Sequence, residues 1–235
     1  MTPRVLLTVW VWRAASELLF PSVCVGCGLR GTLLCPPCER TLPVLPRGAC
    51  PRCAALRTVR GVCRGCRQLS PALNSVRVAF AYDGAARNAV LQLKFRSGRH
   101  LVPLMAMLLR RELRTRPLHA DVVVPVPLAR GRLKQRGFNQ AALLAHHVAD
   151  FAHAQLVTDV LERDQRPPQQ SLDAAARLSN LHGAIRCSAP ACVTDRRVVL
   201  VDDVVTTGAT LSACAEALAK AGAARITAVA FARDL

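Results

Sequence analysis

Residues Val198 to Leu211 read Val-Val-Leu-Val-Asp-Asp-Val-Val-Thr-Thr-Gly-Ala-Thr-Leu, and no other stretch of the 235-residue chain dictates so much local structure. An apolar run rich in valine is a strand buried on both faces, as in a parallel sheet covered by helices. The strand, expected over 197–201, delivers Asp202 and Asp203 to its carboxyl end, where open α/β folds place their ligands. Neighbouring side chains on a strand point apart, so the two acids are expected to straddle that end. Thr206, Thr207 and Thr210 add hydroxyls, Gly208 lets a backbone approach closely, and the helix that the turn opens turns its free amides to the same point.

Two vicinal carboxylates suit two vicinal hydroxyls, and a hydroxyl-rich turn at a helix start suits a dianion. The pattern describes a pocket for a phosphorylated sugar. An Asp-Asp pair after a strand also holds magnesium in nucleotidases and ATPases, but no Gly-x-x-x-x-Gly-Lys-Ser/Thr run surrounds Lys94, Lys134 or Lys220. The run resembles the binding signature of the type I phosphoribosyltransferases, whose donor is 5-phosphoribosyl 1-pyrophosphate (PRPP). That resemblance implies that Asp202 and Asp203 hold the ribose hydroxyls and that Thr206, Thr207, Gly208, Ala209 and Thr210 wrap the 5-phosphate.

From Ser75 onward strand and helix signals alternate, the pattern of a largely parallel sheet. Strands are expected over 76–82, 121–126, 197–201 and 226–231. Helices are expected over 85–95, 101–113, 139–151, 174–181 and from the Thr-Thr-Gly turn to 221. A loop from Pro125 to Gln140 carries Arg130, Arg132, Lys134 and Arg136 at every second position, a cationic lining for a polyanion. The long polar stretch holding Gln169, Gln170 and Ser171 reads as a lid, because long connections in compact domains are usually functional.

Eight of the eleven cysteines form four Cys-x-x-Cys pairs: Cys24/Cys27, Cys35/Cys38, Cys50/Cys53 and Cys63/Cys66. Two such turns close a tetrahedral zinc site, and eight thiolates suffice for two ions. The first four make the more secure site; the second four are assigned one further zinc, with interleaved pairing of the turns left open. Disulfides, iron–sulfur clusters and a redox dithiol are the competing readings. Gly26-Cys27-Gly28-Leu29-Arg30-Gly31 mimics a dinucleotide fingerprint without the strand it requires. Pro36-Pro37, Pro43, Pro46 and Pro51 mark the segment as loop-rich, with neither helix nor sheet. Cys187, Cys192 and Cys214 read as ordinary core or surface residues.

The formal charge of +17 is lopsided, with 23 Lys and Arg against 5 Asp and Glu up to Gln140 and 9 against 10 beyond it. Such a front half suits nucleic acid or a polyphosphate, although nine aromatics are few for stacking single-stranded bases. No run reaches the roughly 18 to 20 apolar residues of a membrane span. Residues 5–12 are too short for an export signal, so the protein is expected to be cytoplasmic, with residues 1–19 as an amphipathic docking helix that uses Leu6, Val9 and Trp10.

The cysteine pairs, Leu93-Lys94-Phe95-Arg96, the Pro125-Val126-Pro127 to Arg136-Gly137-Phe138-Asn139-Gln140 loop, Gln169 with Arg177 and Asn180, and the Asp-Asp run together resemble the ComF family (ComFC-like and GntX-like proteins). One departure is Ile185, where members often carry Phe. The resemblance implies a type I phosphoribosyltransferase fold, an α/β fold with a Rossmann-like parallel sheet, over 75–235, behind a zinc-binding module over 20–74. It places Lys94, Pro125, Val126, Pro127, Arg130, Arg132, Lys134, Arg136 and Arg177 around the pyrophosphate, with magnesium accompanying PRPP. It further implies pentosyl transfer to an unknown base or nucleoside, and a link to DNA uptake in natural competence. The alternative is a non-catalytic, PRPP-binding, zinc-bearing scaffold for single-stranded DNA.

Overall fold

The computed structural model describes residues 22–46, 48–56, 63–114, 117–163 and 185–235. The helix expected over 1–19, the lid residues Gln169, Gln170 and Ser171, Arg177, Asn180 and the helix expected over 174–181 lie outside the described residues. Strands β1 (Ser75–Ala81), β2 (Val122–Pro125), β3 (Gln155–Leu156), β6 (Arg197–Val205) and β7 (Arg225–Arg233) form one parallel sheet in the order β1-β7-β6-β2-β3. A separate antiparallel pair joins β4 (Leu161–Arg163) to β5 (Ile185–Cys187), flanking the stretch read as a lid.

Alternation along the strands sorts the core into two layers. Val123, Val199, Val201, Val229 and Phe231 pack with helices α3 (Gly84–Leu93), α4 (Val102–Leu113) and α6 (Gln140–Ala152). Val122, Val124, Val198, Leu200, Ala228 and Ala230 pack on the other face with α7 (Ala209–Lys220). Val122, Val123 and Val124 are fully buried, as strands covered on both sides must be. Helix starts are chemically marked: Asp83 caps α3 by accepting from the Gly84 amide, and Asn139 caps α6 by accepting from the Ala141 amide at 3.0 Å.

The cysteine-rich segment runs along the outer edge of β1 with one cluster on each face of the sheet. Val25 and Leu42 join the α3 layer, whereas Cys50, Cys53, Leu69 and Leu73 join the α7 layer. Between them the Ala81 amide donates to the Pro43 carbonyl and the Val76 amide to the Arg52 carbonyl, both at 2.7 Å.

Three expectations are corrected. Pro36 and Pro37 open a helix, α1 (Pro36–Arg40), because proline's missing N–H costs nothing in the first helical turn; the segment holds a second helix, α2 (Arg64–Gln68). The cationic stretch after β2 is in part a helix, α5 (Arg130–Arg136), closed by Gly137 at φ 77°; Leu, Lys, Gln and Arg are good helix formers. Strand β6 does not end at Val201: pairing with β7 continues through Asp202–Ala230 and Val204–Ala232, so both acids belong to the strand's last turns of pleat.

Asp121 ties the starts of β2 and β6 together. Its Oδ2 accepts from the Arg197 amide at 2.8 Å and from Nε at 3.0 Å, while Oδ1 accepts from Nη2 at 2.6 Å. The Arg197 guanidinium and then its amide hold the Asp121 carboxyl down at about 2. A depressed folded value means that the contribution is present above the ordinary carboxylate value near 3.8 and is lost as pH falls through about 2. Asp121→Asn is therefore expected to lower the urea midpoint at pH 6 and to match the wild type progressively below pH 3.8. A midpoint gap that does not narrow with acid would contradict it.

Candidate functional site

At the carboxyl ends of β2 and β6 a cleft encloses about 280 Å³. Asp202, Asp203 and Val204 form one wall, and Thr206 and Thr210 continue it into the turn before α7. Each acid accepts the next backbone amide, Asp202 Oδ1 from the Asp203 N–H at 2.8 Å and Asp203 Oδ1 from the Val204 N–H at 3.0 Å. Burial first, and then the charge of Asp203, push the Asp202 carboxyl well above the ordinary carboxylate range, with Arg163 pulling the other way. Asp202 is half-buried and keeps a face on the cleft, so this pair, only partly offset by Arg163, can receive hydroxyl donors or a cation.

The turn is shaped by Gly208, whose φ of 82° suits glycine. As the residue before α7 it offers no side-chain acceptor; the Ala209 amide donates to Thr207 Oγ1 at 3.3 Å, and the amides after it are left for an incoming anion. Leu69, next to the second cysteine cluster, seats on it: a Cβ at Gly208 would fall 2.4 Å from Leu69 Cδ2. Gly208→Ala is expected to cost about 1–2 kcal/mol for the left-handed backbone alone, with the clash adding to it. The readout is the urea midpoint, and an unshifted midpoint would show that the turn is not held this way.

The opposite wall is cationic. Arg132 and Arg136 come from α5 and Lys94 from the end of α3, with Val126, Pro127 and Leu128 as the apolar floor. Four further lining residues, Arg163, Gln140, Asn139 and Tyr82, carry polar groups that the sequence does not assign to the site. Arg163 ends β4 and is half-buried; burial and then Arg132 push its pKa down, while Asp202 raises it, which places it between the acids and the cations. Gln140 is 2% exposed, and its Nε2 has no hydrogen-bond partner among the described residues. An unpaired buried amide costs about 1–3 kcal/mol, a cost that a ligand oxygen would remove. Only the Asn139-Gln140 helix start hinted at it.

Pro125 and Arg130 face an adjoining cleft of about 390 Å³ together with Thr158, Asp159 and Glu162. Thr207, Gly208, Ala209 and Lys134 contribute to the lining of neither.

The cysteines assemble in sequence order, settling the pairing that spacing left open. The sulfurs of Cys24, Cys27, Cys35 and Cys38 lie within 4.8 Å of one another, as do those of Cys50, Cys53, Cys63 and Cys66. Individual separations of 3.4 to 3.6 Å approach the edge of a sulfur tetrahedron, about 3.8 Å for Zn–S bonds of about 2.3 Å. Burial raises the Cys24 thiol but the surrounding backbone amides overcome it and bring it to about 6, whereas its neighbour Cys35 and burial push Cys38 up to about 12. Four sulfurs that cannot all ionise alone, in tetrahedral reach of one point, fit zinc. No helix among the described residues is long and apolar enough to cross a membrane.

Residues 108–235 match the family model described as phosphoribosyl transferase domain. The chain is 31% identical over 220 residues to the DNA utilization protein YhgH of Escherichia coli, covering 89% of this chain and 96% of that one. It is 29% identical over 217 residues to Competence protein F of Haemophilus influenzae, covering 86% and 93%. Competence protein ComFC of Bacillus subtilis is 28% identical over 198 residues, covering 81% and 80%. An acid pair on a parallel strand, the glycine turn behind it, two cysteine clusters ahead of the sheet and these likenesses converge: the chain belongs to the ComF family, built on a phosphoribosyltransferase domain.

Proposed function

We propose that the cleft binds PRPP with magnesium and transfers its phosphoribosyl group to a nitrogen acceptor, in a protein that serves DNA uptake or DNA use. The observation that carries the reading is the placement of Asp202, Asp203, Thr206 and Thr210 opposite Lys94, Arg132, Arg136 and Arg163 in one cleft. Asp202 and Asp203 accept the ribose hydroxyls, the turn from Thr206 to Thr210 takes the 5-phosphate, and the cations take the pyrophosphate. Gln140 Nε2 is a further donor to a phosphate oxygen. Magnesium, for which the acid pair and the diphosphate are suitable oxygen ligands, supplies charge neutralisation when bound.

In the reaction the bond from the ribose anomeric carbon to pyrophosphate breaks and a bond from the acceptor nitrogen forms, with the nitrogen's proton passing to solvent. The acids offset positive charge that develops on the ring, and the cations offset the negative charge leaving with pyrophosphate. In this reading residues 20–74 are a two-zinc structural module and 75–235 the transferase domain. The link to DNA comes from the names of the relatives, DNA utilization protein and competence protein.

A second reading, a PRPP-responsive scaffold for single-stranded DNA, is favoured by the exposed cations Arg130, Arg132 and Lys134 on α5. Calorimetric titration with PRPP and magnesium, followed by a screen of bases and nucleosides for pyrophosphate release, tests the first reading. Absence of heat with PRPP at millimolar concentration would refute it. DNA affinity that falls steeply with salt, together with PRPP binding but no pyrophosphate release, would favour the scaffold.

A further inference from the structure

Among the described residues Arg233 is the one charged side chain that is nine-tenths buried, at 4% exposure. Its Nε and Nη1 have no hydrogen-bond partner, and no carboxylate among the described residues pairs with it. A buried cation left this way is costly unless an anion compensates it. The anion is close at hand. A Cβ at Gly65 would fall 2.9 Å from Cys53 Sγ and 3.6 Å from Arg233 Nη2, so one glycine-sized space separates the guanidinium from the second cysteine cluster. Burial pushes the Arg233 pKa down, and the charges of Cys53, Cys63, Cys50 and Cys66 all work against that.

Four thiolates around a dipositive ion carry a net charge of two minus, and a buried centre of that kind needs a compensating cation. We propose that Arg233 is the counter-charge of a tetrathiolate metal centre at Cys50, Cys53, Cys63 and Cys66, and that through it this centre braces the phosphate turn of the cleft. The backbone of Arg233 lies between Val205 and Ala81 in the sheet, one residue before the turn that begins at Thr206. From the cluster side Leu69 seats on Gly208, and the Ser70 amide donates to Ser212 Oγ at 3.0 Å. The same turn is thus gripped by the strand that carries Arg233 and by the residues that follow α2. Among the described residues the first cluster has no such connection: its contacts run to α3, where Asn88 Nδ2 donates to the Val25 carbonyl at 3.1 Å, and to α4, where Arg111 pairs with Glu39. Arg233 is a positioning residue for the metal and for the turn.

The inference rests on the metal reading of the second cluster, and its test needs no PRPP. Zinc is stripped from the full chain with excess chelator while its release is followed with a coloured indicator. Release is expected in two phases of similar size, the second cluster's phase being the one missing from Cys63→Ser. In Arg233→Met that phase alone is expected to accelerate by about tenfold or more, with Arg233→Lys restoring most of the difference. Equal rates in Arg233→Met and the wild type would overturn the proposal. A wild-type protein purified with zinc at the first cluster only would overturn it together with the metal reading on which it rests. Hydrogen exchange on the wild-type protein gives an arm that does not depend on any variant folding. Removing the second zinc is expected to speed amide exchange over 206–212, and unchanged protection there would overturn the coupling.

Discussion

Replacing Asp202 and Asp203 together by asparagine is expected to weaken PRPP binding by about two to four orders of magnitude. Hydrogen bonds to charged groups contribute about 1.5–3 kcal/mol each, so two of them to the ribose diol amount to about 3–6 kcal/mol, and each 1.4 kcal/mol is tenfold. The doubly substituted protein should nevertheless fold at least as well as the wild type, because an enclosed carboxyl beside a second acid is a liability in the empty site. The sign of the pH dependence follows. A carboxyl whose folded value is raised holds more protons in the folded than in the unfolded protein, so its effect on stability turns unfavourable as pH rises from the ordinary value of 3.8 through the folded one. Stability of the ligand-free protein should therefore fall less with rising pH in Asp202→Asn, and PRPP affinity in the wild type should rise over the same interval as the carboxylate forms. Calorimetry and urea titration across pH 4 to 8 read both, and undiminished PRPP affinity in the double variant would remove the acids from the site.

Stripping both metals is expected to be the most damaging change that leaves the sequence intact. Structural zinc sites contribute an apparent ~10–16 kcal/mol of binding free energy, against a total stability of ~5–15 kcal/mol for ordinary domains. Cys50 and the fully buried Cys53 sit in a core shared with the sheet, and Cys24 and Cys35 are nearly as buried. Loss of the ions should thus lower the melting temperature by about 10 °C or more, given roughly 2–4 °C for each kcal/mol in a chain of this size. Scanning calorimetry of the zinc-loaded and chelated protein decides it. Equal melting temperatures would mean that the clusters are not metal-dependent.

Four of the five strands of the sheet are legible because buried parallel strands leave continuous apolar runs, as at 122–126 and 198–201, whereas β3, two residues long, leaves no such run. Asn139 likewise marks a helix start by its own chemistry. The end of β6 was misread because Asp202 and Asp203 interrupt the apolar pattern while their backbones go on pairing with β7, and a ladder is invisible in one strand's sequence. Helix α5 was hidden by reading its cations as ligands before weighing their helix propensity. Arg163 and Gln140 reach the cleft only through tertiary placement: Arg163 stands 39 positions before Asp202 in the chain, and no local spacing connects them. The partition of the cysteines was beyond spacing for the same reason, since equal Cys-x-x-Cys turns combine equally well on paper.

Edge strand β1 is covered by the segment that runs alongside it. Val76 and Ala81 spend their outward amides on the carbonyls of Arg52, within the second knot of sulfur, and Pro43, between the two knots. An unguarded strand rim is a template for recruiting another chain. The knuckles therefore act as a fastening over a sticky margin, and loosening them is expected to leave the chain prone to self-association.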